Sequence, residues 1–168
     1  IVGVALDLPA LRRDPGARGA RMPLLGIWAL CLLFVQFLFG AYVAGLEAGY
    51  AFNSWPKMGE EWFPAGTPLL EPFIANLADN PIVVQFVHRW LAFVVAAIAF
   101  LLARSAWNRG FQWSAVAVLA AVTLQILLGI ATLMSGVEIG LAVAHQAMAA
   151  LLLAPMVLPA HRLGGSRA

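Results

Sequence analysis

VVQFVHRWLAFVVAAIAFLLA (83–103) and IGLAVAHQAMAALLLAPMVL (139–158) each place one histidine, His88 and His145, inside an apolar stretch. Each stretch has about 20 residues, the length that crosses a bilayer. An ionisable side chain in hydrocarbon is costly, so each histidine marks a functional site by default. Around these two, the remaining apolar residues also fall into blocks of membrane length. The spans read as Pro23–Ala44, Pro81–Ala103, Phe111–Met134 and Gly140–Ala160. The expected fold is therefore all-α and transmembrane.

Composition supports this. Of 168 residues, 62% are hydrophobic and 11% charged, against about 25% charged in a soluble domain. The net charge of +2 is small, and no nucleic-acid partner is expected. Lipid is the expected surrounding. The single cysteine, Cys31, falls within the first span. That excludes an intrachain disulfide and a cysteine-based metal site, and it reads as a small apolar residue.

Charge is segregated. Arg12, Arg13, Arg18 and Arg21 precede the first span, Arg104 and Arg109 lie between the second and third, and Arg162 and Arg167 follow the fourth. All fall on one side, which the positive-inside rule makes cytoplasmic or matrix. Glu47, Glu60, Glu61, Glu71, Asp79 and Glu138 fall on the other, with Lys57 as the only cation against them. Residues 1–22 read as the tail of a preceding segment and a cytoplasmic linker, and the start at IVGVAL suggests part of a longer protein. Residues 23–160 are expected to form the membrane domain, with 45–80 as an outer loop, and 161–168 a cytoplasmic tail. ARSAWNRG (103–110) reads as a short turn and SGVEI (135–139) as a tight connection.

The chain repeats itself. VQFLFG (35–40) matches LQILLG (124–129), and LEAG (46–49) matches VEIG (137–140). Each copy leads into a span bearing one histidine, so the four-helix bundle is expected to be two repeated helix pairs. His88 and His145 then lie at matched depth, roughly 8–11 Å below the outer surface at helical rise. Two imidazoles at one depth could ligate a single haem iron from opposite faces. Alternatively each could hydrogen-bond a neighbouring helix, or take part in a zinc site or proton relay. Zinc needs further ligands, and a relay usually includes an intramembrane carboxylate. Neither is present at that depth. Gln36 and Gln125 occupy matching places, as interhelical hydrogen bonders or as supports for an imidazole. Arg89 needs an anionic partner or a route to the interface. His161, beside Arg162, reads as an interfacial residue. Gly40, Gly45, Gly49, Gly129 and Gly140 read as sites of close helix packing or as room for a macrocycle. Trp55, Trp62, Phe63 and Phe73 read as interfacial anchors in a loop that caps the site from outside.

AGLEAGYAFNSWPKM (44–58), VQFVHRWLAF (84–93), LQILLGIATLMSGV (124–137) and LAVAHQAMAALLL (141–153), in this order and spacing, resemble the C-terminal half of the haem A synthase family. That resemblance covers most of the chain from about residue 30. It implies one half of an eight-helix enzyme that oxidises a methyl group of haem O to the formyl group of haem A for terminal oxidases. It implies haem b (iron protoporphyrin IX) as cofactor, with His88 and His145 as axial ligands of the iron; the propionates of such a haem would give Arg89 its anionic partner. The family's catalytic half carries a glutamate three residues before its first histidine. Here that position is Gln85, so no catalytic residue is expected in this chain. An iron with two histidine ligands has no open position and suits electron transfer. A b-type membrane anchor that only passes electrons is the alternative, and a haem-free transporter or assembly scaffold is a third. The resemblance further implies a bacterial or mitochondrial inner membrane, haem O as substrate, and haem O synthase and a donor such as a ferredoxin as partners. A homo-oligomer is left open.

Overall fold

The computed structural model describes residues 22–164. Four long helices carry the fold: α1 (Leu24–Gly45), α2 (Pro81–Asn108), α3 (Gln112–Met134) and α4 (Ile139–Gly164). Each is long and apolar enough to span a bilayer, and no strand occurs among the described residues. Apolar side chains such as Phe34, Leu127 and Leu151 face outward, as lipid requires. Cys31 is among the exposed residues. The linker up to Arg21, with its four arginines, and Arg167 lie outside the described residues.

Two helices run further than expected. α2 continues through ARSAWN to Asn108, because nothing in that stretch breaks a helix. The stop is Gly110, at φ 84. Its N–H donates to the Trp107 carbonyl at 3.0 Å, and that of Phe111 donates to the Ala106 carbonyl at 2.9 Å. This glycine-ended cap satisfies two of the last carbonyls. α4 runs through Pro155 and Pro159 to Gly164, with His161 and Arg162 in its last turn. Prolines of this kind are tolerated in membrane helices. The expected tail at 161–168 therefore begins as helix.

The connections follow their sequence signals. Asn80 caps α2 by accepting from the N–H groups of Ile82 and Val83 at 3.1 and 3.4 Å. Pro81 fills the first helical position, where no N–H is needed. α3 ends on Gly136 at φ 71, and Glu138 caps α4 by accepting from Gly140 and Leu141, each at 2.9 Å. Those two amides hold the Glu138 carboxyl below its usual range. The matched outer segments meet: a Cβ on Gly49 would lie 2.8 Å from Val137 Cγ2.

α1 packs on α2, and α3 on α4, giving the two expected pairs. The pairs join through α2–α3 and α1–α4, and α2 also touches α4 across the bundle. The buried apolar core, including Leu33, Leu102, Val118, Leu152 and Met156, lies toward the arginine end. Alanines fill much of that end, and small residues let backbones approach: a Cβ on Gly26 would lie 2.9 Å from that of Ala160. The outer halves pack differently. No residue is fully buried in 34–45 of α1, 123–134 of α3 or 139–151 of α4.

The outer loop lies along α2. Trp55 stacks on Phe93 at 5.9 Å, Trp62 meets Trp90 at 5.9 Å, and Phe63 meets Phe86 edge-on at 5.0 Å. These aromatics therefore anchor the loop to a helix, while Phe73 stays exposed. Asn76 and Asn80 are buried and knot the far end, Asn80 donating to the Pro68 carbonyl and to Asn76 Oδ1 at 2.9 Å each.

Candidate functional site: two imidazoles in the outer half of the bundle

His88 is seven residues into α2 from Pro81, and His145 six into α4 from Ile139. Helical rise puts both about 9–11 Å from their helix starts. α2 and α4 face each other across the bundle, and the two imidazoles stand within electrostatic reach of one another. The structure thus brings together the pair that the spacing picked out.

The repeat sets the surroundings of each ring. Gln36 lies nine residues before the end of α1 at Gly45, and Gln125 nine before the end of α3 at Met134. Four residues after each comes Gly40 or Gly129, one helical turn further on. A Cβ on Gly40 would lie 3.3 Å from His88 Cε1, and one on Gly129 only 2.8 Å from His145 Cε1. The glycines therefore clear space for an imidazole laid against the partner helix. Gly45, by contrast, has nothing within 4 Å of an added Cβ.

Polar contacts differ between the two rings. Gln36 Nε2 donates to the His88 carbonyl at 3.1 Å and stands 3.2 Å from His88 Nδ1. His145 Nδ1 is buried with no partner, as are Oε1 of Gln36, Gln85 and Gln125. A buried polar atom without a partner costs roughly 1–3 kcal/mol, and several gathered around two histidines mark a site rather than a packed core.

Arg89 turns to the outer loop. It is buried, at 9% exposure, and meets loop carbonyls instead of open water. Its Nη1 donates to Ser54 at 2.9 Å and Lys57 at 3.2 Å, and its Nη2 to Phe52 at 2.9 Å. Nε keeps no partner. Gln85 Nε2 donates to the same Phe52 carbonyl at 2.9 Å. One helix face thus pins the NSWPKM segment, a role that spacing alone did not reveal. The signal was there in the buried cation itself, which needs acceptors, and carbonyl dipoles serve as well as an anion. His161 is remote, in the last turn of α4.

Among the described residues, no group of three or more His, Cys, Asp or Glu could hold a metal ion. A bis-histidine haem uses a smaller donor set, two imidazoles alone, so that absence does not bear on it. The residues fit that group in three respects. The histidines sit on facing helices at matching distances from their helix starts, glycines give their rings clearance, and among the described residues no hydrogen bond engages either Nε2.

The family model COX15-CtaA, described as cytochrome oxidase assembly protein, matches residues 2–157. The chain is 54% identical over 163 residues to a protein named heme A synthase from Rhizorhabdus wittichii, covering 97% of this chain and 47% of that one. Proteins of the same name from Sphingopyxis alaskensis and Rhodospirillum centenum are 43% and 45% identical, over 98% and 97% of this chain and 46% and 45% of their own lengths. The chain spans about half the length of these curated relatives. No solved structure matches it.

Proposed function

Because the chain belongs to the COX15-CtaA family of haem A synthases, we propose that it is the cofactor-binding half of such an enzyme. In that reading the whole protein oxidises the methyl group of haem O to the formyl group of haem A in an inner membrane. This half binds haem b through His88 and His145. Haem b, when bound, supplies a one-electron redox centre there. The observation that carries the reading is the repeated motif. Each helix pair sets a histidine against a glycine, one turn past a glutamine, and the two histidines sit on facing helices.

The residues of this chain have separable roles. His88 and His145 would hold the haem iron, and with both imidazoles engaged the group would serve electron transfer rather than take a reacting molecule. Gly40 and Gly129 let the rings lie close to α1 and α3. Arg89 holds the loop by three carbonyls, and its remaining Nε is suited to a propionate. Gln85 does not supply a carboxylate, so the methyl oxidation belongs to the other half of the protein. The partners that follow are haem O as substrate, haem O synthase as its source, and a small electron donor such as a ferredoxin.

A purified full-length protein tests this. Pyridine haemochrome analysis with a reduced-minus-oxidised spectrum should show haem b, and supplied haem O should become haem A in the presence of a reductant. Bound haem b with unaltered haem O would make this half part of an electron-transfer anchor. Absence of any haem would refute the reading altogether.

A further inference from the structure

Two half-buried glutamines stand at one register in the two helix pairs, each one turn before the glycine that faces a histidine. Around them lies an excess of unmade hydrogen bonds. Gln125 Oε1 and His145 Nδ1 are both buried and both without a partner, on the packed pair α3–α4. Gln36 already reaches its histidine, with Nε2 3.2 Å from His88 Nδ1, while its Oε1 is buried and unpartnered.

We infer that Gln36 and Gln125 are positioning residues that set the tautomer of the two imidazoles by accepting the Nδ1 proton at Oε1. The argument is one of proton bookkeeping. A neutral imidazole carries one N–H, and its other nitrogen keeps the free electron pair. If an amide N–H donates to Nδ1, the proton sits on Nε2, which then cannot ligate. If the amide oxygen accepts from Nδ1–H, Nε2 is free to ligate. A ligating histidine almost always donates its other N–H to a fixed acceptor, which also sets the ring's orientation.

The geometry of His88 says which edge is held. Cε1 and Nδ1 lie 3.3 and 3.8 Å from a Cβ on Gly40, and Nε2 lies beyond 4 Å. The held edge faces α1, and Nε2 is the nitrogen left for a ligand. Gln36 as it stands donates to the His88 carbonyl at 3.1 Å, which presents Nε2–H of the amide to the ring. A half-turn about the amide torsion, which is soft and two-fold, presents Oε1 instead. At His145 the side-chain acceptor Oε1 of Gln125 is unpartnered, and its rival is the main-chain carbonyl of the same residue. The first glutamine therefore has two states, one that blocks ligation and one that supports it, and the second has only the supporting state to gain.

This inference rests on the bis-histidine reading, and its test separates the two. The full-length protein is prepared as wild type and as Gln36→Glu, Gln36→Leu, Gln125→Glu and Gln125→Leu. The reduction potential of the haem held here and the g-values of its low-spin ferric signal are measured. A carboxylate accepts the Nδ1 proton more strongly than an amide, and leucine does not accept it at all. The potential should fall in each Glu variant and rise in each Leu variant, with g-values shifting in opposite directions. Loss of haem in a Leu variant, with retention at lowered potential in the matching Glu variant, supports the inference equally. The backbone at Gln36 and at Gln125 also borders the rings. If main-chain carbonyls accept the protons instead, haem is retained in every variant at the wild-type potential and g-values, which overturns the inference. A wild type with no low-spin haem would fail the bis-histidine reading instead.

Discussion

At the scale of single residues, the tightest contact of the site is between Gly129 and His145. An added Cβ would stand 2.8 Å from Cε1 there, against 3.3 Å at Gly40 and His88. Real Cβ atoms do not approach other heavy atoms as closely as 2.8 Å, so the His145 ring must move. A ligand bond tolerates little misplacement of its imidazole. Gly129→Ala is therefore expected to lose most of the low-spin haem spectrum, while Gly40→Ala keeps most of it. Equal retention in both would show that the rings are not seated as described. Both histidines and both glutamines were legible in the sequence, because the repeat put them at equal depth. The role of Gly40 and Gly129 was half legible. A glycine in a membrane helix reads as helix contact, and only coordinates show that an imidazole fills the space. Arg89 was legible as a buried cation in need of partners, but its acceptors belong to a loop some 35 residues away, and no local pattern reports a contact of that range.

At the scale of elements, α2 and the outer loop act as one unit. Arg89 and Gln85 grip carbonyls of Phe52, Ser54 and Lys57, and three aromatic pairs lie alongside. Hydrogen bonds from a charged donor are worth roughly 1.5–3 kcal/mol each in such settings. Arg89→Ala should therefore free the loop while leaving the helices folded. Hydrogen exchange reads this directly. The amides of Met58, bonded to Glu61, and Gly59, bonded to Ser54 Oγ, should lose protection, and those of α3 should not. Unchanged exchange at Met58 and Gly59 would place the loop's stability in its aromatic contacts. The four helices were legible from apolar length, but two inner ends were not. Arg104 and Arg109 read as a turn because charges leave the bilayer, yet a helix can continue beyond the hydrocarbon. α2 has 28 residues, about 42 Å at helical rise, against about 30 Å of hydrocarbon. The true stop, Gly110, was the last residue of the segment read as a turn.

At the scale of the molecule, the bundle is closed by alanine and leucine packing at the arginine end and organised around polar side chains in its outer half. Arg104, Arg109 and Arg162 cluster at the first end, where Arg109 donates to the Leu163 carbonyl at 3.2 Å and Arg162 to Ser114 Oγ at 2.8 Å. Acidic residues dominate the opposite end. By the positive-inside rule the arginine end is cytoplasmic or matrix-facing. In a Cys31→Ser background, a membrane-impermeant thiol reagent added from outside should label Gly66→Cys, where an added Cβ meets nothing within 4 Å. It should not label Asn108→Cys, exposed at the other end. Labelling of Asn108→Cys alone would invert the topology. The two-pair architecture carries the central claim, that His88 and His145 hold one haem between facing helices. Its most direct test is the low-spin spectrum and thermal stability of the full-length protein in three variants. His88→Ala and His145→Ala should each lose the low-spin bis-histidine signal of this half. Each should also unfold at lower temperature, because a group that binds only the folded state stabilises it. His161→Ala, at the other end of α4, should keep the low-spin signal. A normal low-spin spectrum retained in the His145→Ala protein would contradict the pairing and the account built on it.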